Sequence, residues 1–153
     1  MYQFKRLDDY EIIRETITNP RIYRWLTDDT SPEREQFKPI ESDLIWYIGA
    51  YRDGKYLGLW MFVPQNGICW EVHTCLLPQA WGESAMAAKE LANWIWVNTP
   101  CQRIITNVPT YNKLARILAV NTGFKQFGIN EKSFLKNGTL HDQLVLGLSK
   151  EVK

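Results

Sequence analysis

Glu71 and His73 stand two positions apart in the apolar run 68–77, and two positions is the side-chain repeat of a β-strand. As a strand, that run puts Glu71, His73 and Cys75 on one face and Trp70, Val72, Thr74 and Leu76 on the other. A carboxylate and an imidazole side by side can take up a proton and pass it on, with Glu71 the better candidate base. The plainer alternative is a hydrogen-bonded pair within the core. Beyond the run the chain passes Pro78 and Gly82 into a helix start. Strand-to-turn-to-helix junctions hold anions on free backbone N–H groups and on the helix dipole. Leu76, Leu77, Trp81, Gly82, Glu83, Ser84, Ala85 and Met86 are therefore candidate binding residues, a tight turn without a ligand being the alternative. A second strand-to-helix junction at 107–124 carries Tyr111 and Asn112.

Other elements must position these groups. Positions 1–7 alternate apolar and polar, as a first strand does, and Asp8 and Asp9 offer an N-cap for a helix with Tyr10, Ile12, Ile13 and Ile17. Thr18-Asn19-Pro20 ends that helix, and a short helix over 21–26 leads into a proline-bounded polar loop over 27–39. Strands over 44–52 and 55–63 flank Asp53-Gly54, a strong hairpin signal. The run 68–77 is almost continuously apolar, which predicts a strand covered on both faces near the middle of the sheet. A helix over 83–97 turns Ala85, Ala88, Ala92 and Ile95 to the sheet, followed by a strand over 103–108. The helix 111–122 has Leu114, Ala115 and Leu118 inward and Gly123 as a left-handed cap. Strands over 124–129 and 140–148 are joined by a polar stretch with an Asn137-Gly138 turn. The order β-α-α-β-β-β-α-β-α-β-β implies an α/β fold with a mixed sheet flanked by helices, one domain over 1–153.

Composition narrows the function classes. A chain of 153 residues, 45% hydrophobic and 13% aromatic, can bury a core of its own. Its 18 basic and 17 acidic residues leave a net charge of +1 without a basic block, which argues against nucleic acid as a partner. The start lacks an apolar signal core and no window has the apolar length of a membrane span, so a cytoplasmic protein is expected. Cys69, Cys75 and Cys101 are odd in number without C-x-x-C spacing; they read as buried thiols, with neither disulfide nor metal site. Of the seven tryptophans most are spaced as core, and Trp81 is the exception because a turn should expose it.

With the elements in this order, the segments 71–86 and 107–124 resemble the acetyl-CoA-binding core of the GCN5-related N-acetyltransferase (GNAT) superfamily, over roughly residues 43–148. The resemblance implies a GNAT-like acyl-CoA N-acyltransferase fold with acetyl-CoA as cofactor and no metal. In that superfamily the strand at 69–77 splays from the next one, and a bulge near its end frees backbone N–H groups for the pantetheine arm. The turn at 81–86 then cradles the pyrophosphate. Asn112 matches an asparagine that contacts the cofactor arm, its alternative being an ordinary helix-start residue. Glu71 matches the carboxylate that deprotonates the acceptor ammonium.

Four positions depart from the superfamily pattern. Registered on Pro78, Trp81 stands where Gln or Arg belongs, and Ser84 and Met86 where glycines belong, with Gly82 only at the neighbouring position. The general-acid tyrosine position is Ala119, which leaves Tyr111 as a substitute donor or a packing residue.

Glu71-Val72-His73 also looks like a phage-associated branch of the superfamily, and the whole chain resembles head-assembly or virion-associated proteins of short-tailed bacteriophages. Two functions follow as expectations. One is transfer of an acetyl group to an amine on a small molecule or a protein. The other is a non-catalytic assembly factor that contacts phage head or portal proteins, in the host cytoplasm if phage-encoded. An acyl-CoA sensor without turnover is a third possibility.

Overall fold

Side-chain caps start three of the four α-helices in the computed structural model, which describes residues 1–151. After β1 (Tyr2–Arg6), the Asp9 carboxylate accepts from the Glu11 and Ile12 N–H groups and starts α1 (Tyr10–Ile17). Ile13, Thr16 and Ile17 are the buried face of that helix. The Asn19 side chain accepts from the Arg21 N–H, and Pro20 opens α2 (Pro20–Leu26). β2 (Trp46–Arg52) and β3 (Lys55–Pro64) follow, then β4 (Cys69–Leu76). A 3-10 turn, Pro78–Glu83, leads into α3 (Ser84–Asn98), β5 (Arg103–Pro109) and α4 (Lys113–Thr122). The chain closes with the hairpin of β6 (Lys125–Lys136) and β7 (Thr139–Ser149).

Seven strands form one sheet in the order β1-β2-β3-β4-β5-β7-β6, which puts β4 in the middle as its two-sided apolar run requires. Trp70, Val72 and Leu76 pack toward α3 with Leu91, Ala92 and Ile95, while Cys75 lies in the opposite layer with Ile13, Ile17 and Ile22 of α1 and α2. Only β4 and β5 are parallel neighbours, joined through the crossover helix α3.

The structure corrects several expectations. The inner face of α3 is Ala87, Leu91, Ala92 and Ile95, so Ala85 and Ala88 are only half-buried. On α4 Leu114 points outward, 71% exposed, and the buried residues are Ala119 and Thr122. The polar stretch 130–136 is part of β6. Its strand signal is masked by two register shifts, one of them between Asn130 and Phe134, where Lys132 takes a φ of 49°. As the edge of the sheet, β6 is solvated and needs no apolar alternation there. Cys75 and Cys101 are buried, but Cys69 is only half-buried. Trp60 and Trp70 are core, whereas Trp25 is 40% exposed.

The bulge expected near the end of β4 lies across from it. β3 and β4 pair without a shift, and the irregularity is between β2 and β3, where Ala50 pairs Gly58 and Tyr51 pairs Tyr56. Leu57 is left over, and its carbonyl accepts from the Leu77 N–H at 3.0 Å, tying down the end of β4. The next residue, Gly58, has a φ of 121°, and a Cβ there would stand 2.7 Å from the Cys75 carbonyl oxygen and the Leu76 Cα. Those atoms are backbone of the central strand and cannot step aside cheaply. Gly58→Ala therefore combines backbone strain with overpacking, each costing about 1–3 kcal/mol. Urea unfolding should show a loss of at least about 2 kcal/mol for this variant. Gly67→Ala, where a Cβ meets nothing within 4 Å, is the control expected to stay near wild type.

Candidate functional site

β4 and β5 pair only over Cys69–Glu71 and Arg103–Ile105. From Thr106 on, β5 continues beside β7 alone, with Thr106 opposite Leu146 and Pro109 opposite Gln143. The two strands part, and a cleft of about 700 Å³ opens between them, a size suited to a cofactor arm or small ligand. Because the gap passes through the sheet, its walls come from both layers. Arg21 and Trp25 of α2 contribute to one wall, and Ala85 and Ala88 of α3 with Ala115 and Ala119 of α4 to another.

At the point of parting stands Glu71. Its Oε1 lies 2.8 Å from His73 Nε2, and its Oε2 accepts from Asn107 Nδ2 at 3.0 Å. The bond from His73 holds the Glu71 carboxyl below its ordinary value of 4.5, against the opposing effect of burial and with further help from Asn107. An ionised carboxylate can only accept, so Nε2 carries the proton of that bond, and Nδ1 is the ring nitrogen left outside it. Glu71 and His73 both line the cleft. Cys75, on the same strand face, does not; burial pushes its thiol up to about 12 and removes it as a nucleophile at neutral pH.

The candidate binding residues divide. Leu76, Trp81, Gly82, Ser84, Ala85 and Asn112 line the cleft. Leu77 is turned away, packed against the α1–α2 layer. The Glu83 carboxylate accepts from Tyr2 Oη at 2.9 Å and from Arg52 at 2.6 Å, which ties the turn to β1 and β2. Met86 points to solvent, outside the cleft walls. Asn112 is the N-cap of α4, with Oδ1 accepting from the Ala115 N–H at 3.1 Å. The turn itself is a 3-10 helix, and α3 begins without a side-chain cap.

Trp81 is half-buried in the structure. Its indole N–H donates to the Leu76 carbonyl at 2.8 Å, and its ring packs against the core. Tyr111 lies outside the cleft walls, its ring 4.6 Å from His141 and its hydroxyl buried without a partner among the described residues. Burial, and secondly the charges of Asp28 and Asp29, raise its pKa, and the packing reading of Tyr111 is the one its position supports. Asn107 is the site residue that the sequence reading passed over. The signal was a polar side chain in the strand Arg103-Ile104-Ile105-Thr106-Asn107-Val108. It falls on the face of Glu71 only once Ile105 is registered opposite Glu71.

Among the described residues no helix is long and apolar enough to cross a membrane, and no group of three or more His, Cys, Asp or Glu side chains is gathered to hold a metal ion.

No sequence family and no curated protein matches the chain. Solved structures do. The chain is similar to the spermidine N-acetyltransferase of Vibrio cholerae in complex with CoA and spermine, with TM-score 0.79 and 16% identity over 97% of this chain and 95% of that one. It is similar to a GNAT-family acetyltransferase from Streptococcus pneumoniae, with TM-score 0.71 and 16% identity over 99% and 100% of the two chains. A third likeness is to Mycobacterium smegmatis RimJ in complex with CoA-disulfide, at TM-score 0.72 and 12% identity over 97% of this chain and 81% of that one. Identities this low speak for the backbone and not for the site. With the strand order and the parted central strands, they show that the fold is that of the GNAT acyltransferases.

Proposed function

We propose that the protein is an acyl-CoA-dependent N-acyltransferase in which Glu71 and His73 handle the proton of the acceptor amine. The observation that carries this reading is the cleft through the sheet, with largely apolar walls and the hydrogen-bonded Glu71–His73 pair where the strands part. Its walls suit a narrow pantetheine arm, since Ala85, Ala88, Ala115 and Ala119 are small and Val72 and Leu76 apolar. At Gly82 an added Cβ would meet nothing within 4 Å, so the turn is open where a phosphate approaches.

Acyl-CoA, when bound, supplies a thioester carbonyl to which the amine nitrogen forms a C–N bond while the C–S bond breaks and sulphur keeps the electron pair. His73 Nδ1 takes the proton of the acceptor ammonium, and Glu71 holds the ring and stabilises the imidazolium. The nitrogen loses its second proton to water as the amide forms, and the departing sulphur gains one from water, with Ala119 at the position where a tyrosine could have given it. Glu71 thus acts as the positioning carboxylate and His73 as the base. Glu71 is the only carboxylate among the described residues that line the cleft, while Trp25, Leu26 and Phe134 line the mouth of α2. That lining suits a single amine on an apolar body better than a polyamine, whose several ammonium groups each want a counter-charge.

The assembly reading has one observation of its own. α4 carries Leu114, Ile117 and Val120, 71%, 49% and 56% exposed, at three-residue spacing that makes an apolar stripe running from the cleft rim, where Leu114 and Ile117 stand, out to Val120. Phage head or portal proteins are its proposed partners, and absence of the chain from purified particles would remove it.

Acetyl-CoA should raise the melting temperature, since a ligand at 100 times its Kd adds about 2.7 kcal/mol of stability. Ala88→Trp should fill the cleft and abolish the shift while circular dichroism stays native. His73→Gln should cut kcat by roughly a hundredfold to ten-thousandfold with KM for the acyl donor unchanged. A rate within a few-fold of wild type would remove His73 as the base.

Stability should depend on pH through Glu71. Its folded pKa lies below the unfolded one, so its contribution is complete above about pH 4.5 and is lost as pH falls through the lower folded value. Glu71→Gln should therefore be less stable than wild type near neutral pH, with the gap in urea unfolding closing below that pH. A gap that stays constant would show that the carboxylate is not charged in the pair.

A further inference from the structure

Among the described residues that line the cleft, Arg21 is the only lysine or arginine. It takes part in no ion pair among the described residues, so its charge is uncompensated at the cleft mouth. Its position is nonetheless defined from both ends. Asn19 accepts from the Arg21 N–H at 3.0 Å, buried Ile22 anchors α2 beside it, and the guanidinium stands 4.9 Å from the ring centroid of Trp81. That ring is itself held by the bond of its indole N–H to the Leu76 carbonyl. Trp81 thus presents a cation from another layer of the fold beside Gly82 and Ser84, the residues that open α3 and line the same cleft.

We propose that Arg21 binds the pyrophosphate of acyl-CoA, supplying by a side chain what the turn no longer supplies through glycine backbone. The inference rests on the acyl-CoA reading above and adds to it a binding residue from α2. Ser84 and Met86 carry side chains where close backbone approach to a phosphate calls for glycine. A planar guanidinium pre-set on an aromatic face can take two phosphate oxygens at once, and an uncompensated cation gives no ion pair up to do so. The anion is assigned to the donor and not to the acceptor because Trp81 directly precedes Gly82, whereas the Glu71–His73 pair lies at the other end of the parted strand.

The test measures binding of CoA, dephospho-CoA and pantetheine by calorimetry to wild type, Arg21→Gln and Arg21→Lys. Arg21 is exposed, so both variants should melt with the wild type in the absence of ligand. Arg21→Gln should weaken CoA and dephospho-CoA, which both carry the pyrophosphate, by roughly tenfold or more and leave pantetheine unchanged. Arg21→Lys should fall between, keeping the charge but losing the planar fork. Equal affinities of wild type and Arg21→Gln for CoA would overturn the assignment alone. A parallel loss for pantetheine, or a loss for CoA with dephospho-CoA unaffected, would also overturn it. Failure of the wild type to bind CoA at all would overturn the acyl-CoA reading together with it.

Discussion

Past Glu71 and Ile105, the central strand of the sheet has no partner on one side. A strand in the middle of a sheet normally spends all its backbone hydrogen bonds on its neighbours, and a buried carbonyl left without one costs about 1–3 kcal/mol. Much of the surrounding structure answers that constraint. On the open side the Val72 carbonyl accepts from Thr106 Oγ1 at 3.4 Å and the Leu76 carbonyl from the Trp81 indole, while on the β3 side the Leu77 N–H extends the ladder to Leu57. Gly58 lets β3 come close enough for that last bond. β7 in turn enters the sheet between β5 and β6, so β5 is paired where β4 has left it.

The same parting explains why a charged carboxylate can exist near the centre of the molecule. Glu71 sits at the apex, where Asn107 can still reach it from β5 and where the cleft begins to admit solvent. A fully buried carboxylate would be driven toward its neutral form; here hydrogen bonds from two sides outweigh burial and keep the charge. Glu71 is the last residue of β4 paired to β5, so its side chain is fixed by the ladder on one side and faces the opening cleft on the other. The geometry of the sheet therefore selects position 71 for the carboxylate.

Most of the fold was legible because its signals are local: the caps at Asp9 and Asn112, the hairpin turns at Asp53-Gly54 and Asn137-Gly138, the period-two strands and the left-handed Gly123. Legibility failed where a residue's role depends on a distant partner. Leu114 reads as inward from helix periodicity, yet α4 buries Ala119 and Thr122, because it packs between α3 and the sheet, with Ala119 against Val108 and Leu146. The strand at 130–136 is hidden by register shifts that only pairing with β7 defines. At the site, Glu71 and His73 follow from spacing on one strand. Asn107 needs the β4–β5 register, and the stacking of Arg21 on Trp81 spans elements far apart in the chain.

Trp81 illustrates how packing can set the path of a turn between strand and helix. In a glycine-rich loop the backbone path depends on glycines; in this turn it depends on Pro78, on buried Ala80 and on the indole bond to Leu76, followed by a 3-10 turn that leads directly into α3. Once the path is set by packing, positions 84 and 86 are free of that duty and can carry side chains. What they can no longer offer is bare backbone for an anion. The charge that a phosphate needs must then come from a side chain, and Trp81 is also the platform on which the Arg21 guanidinium rests.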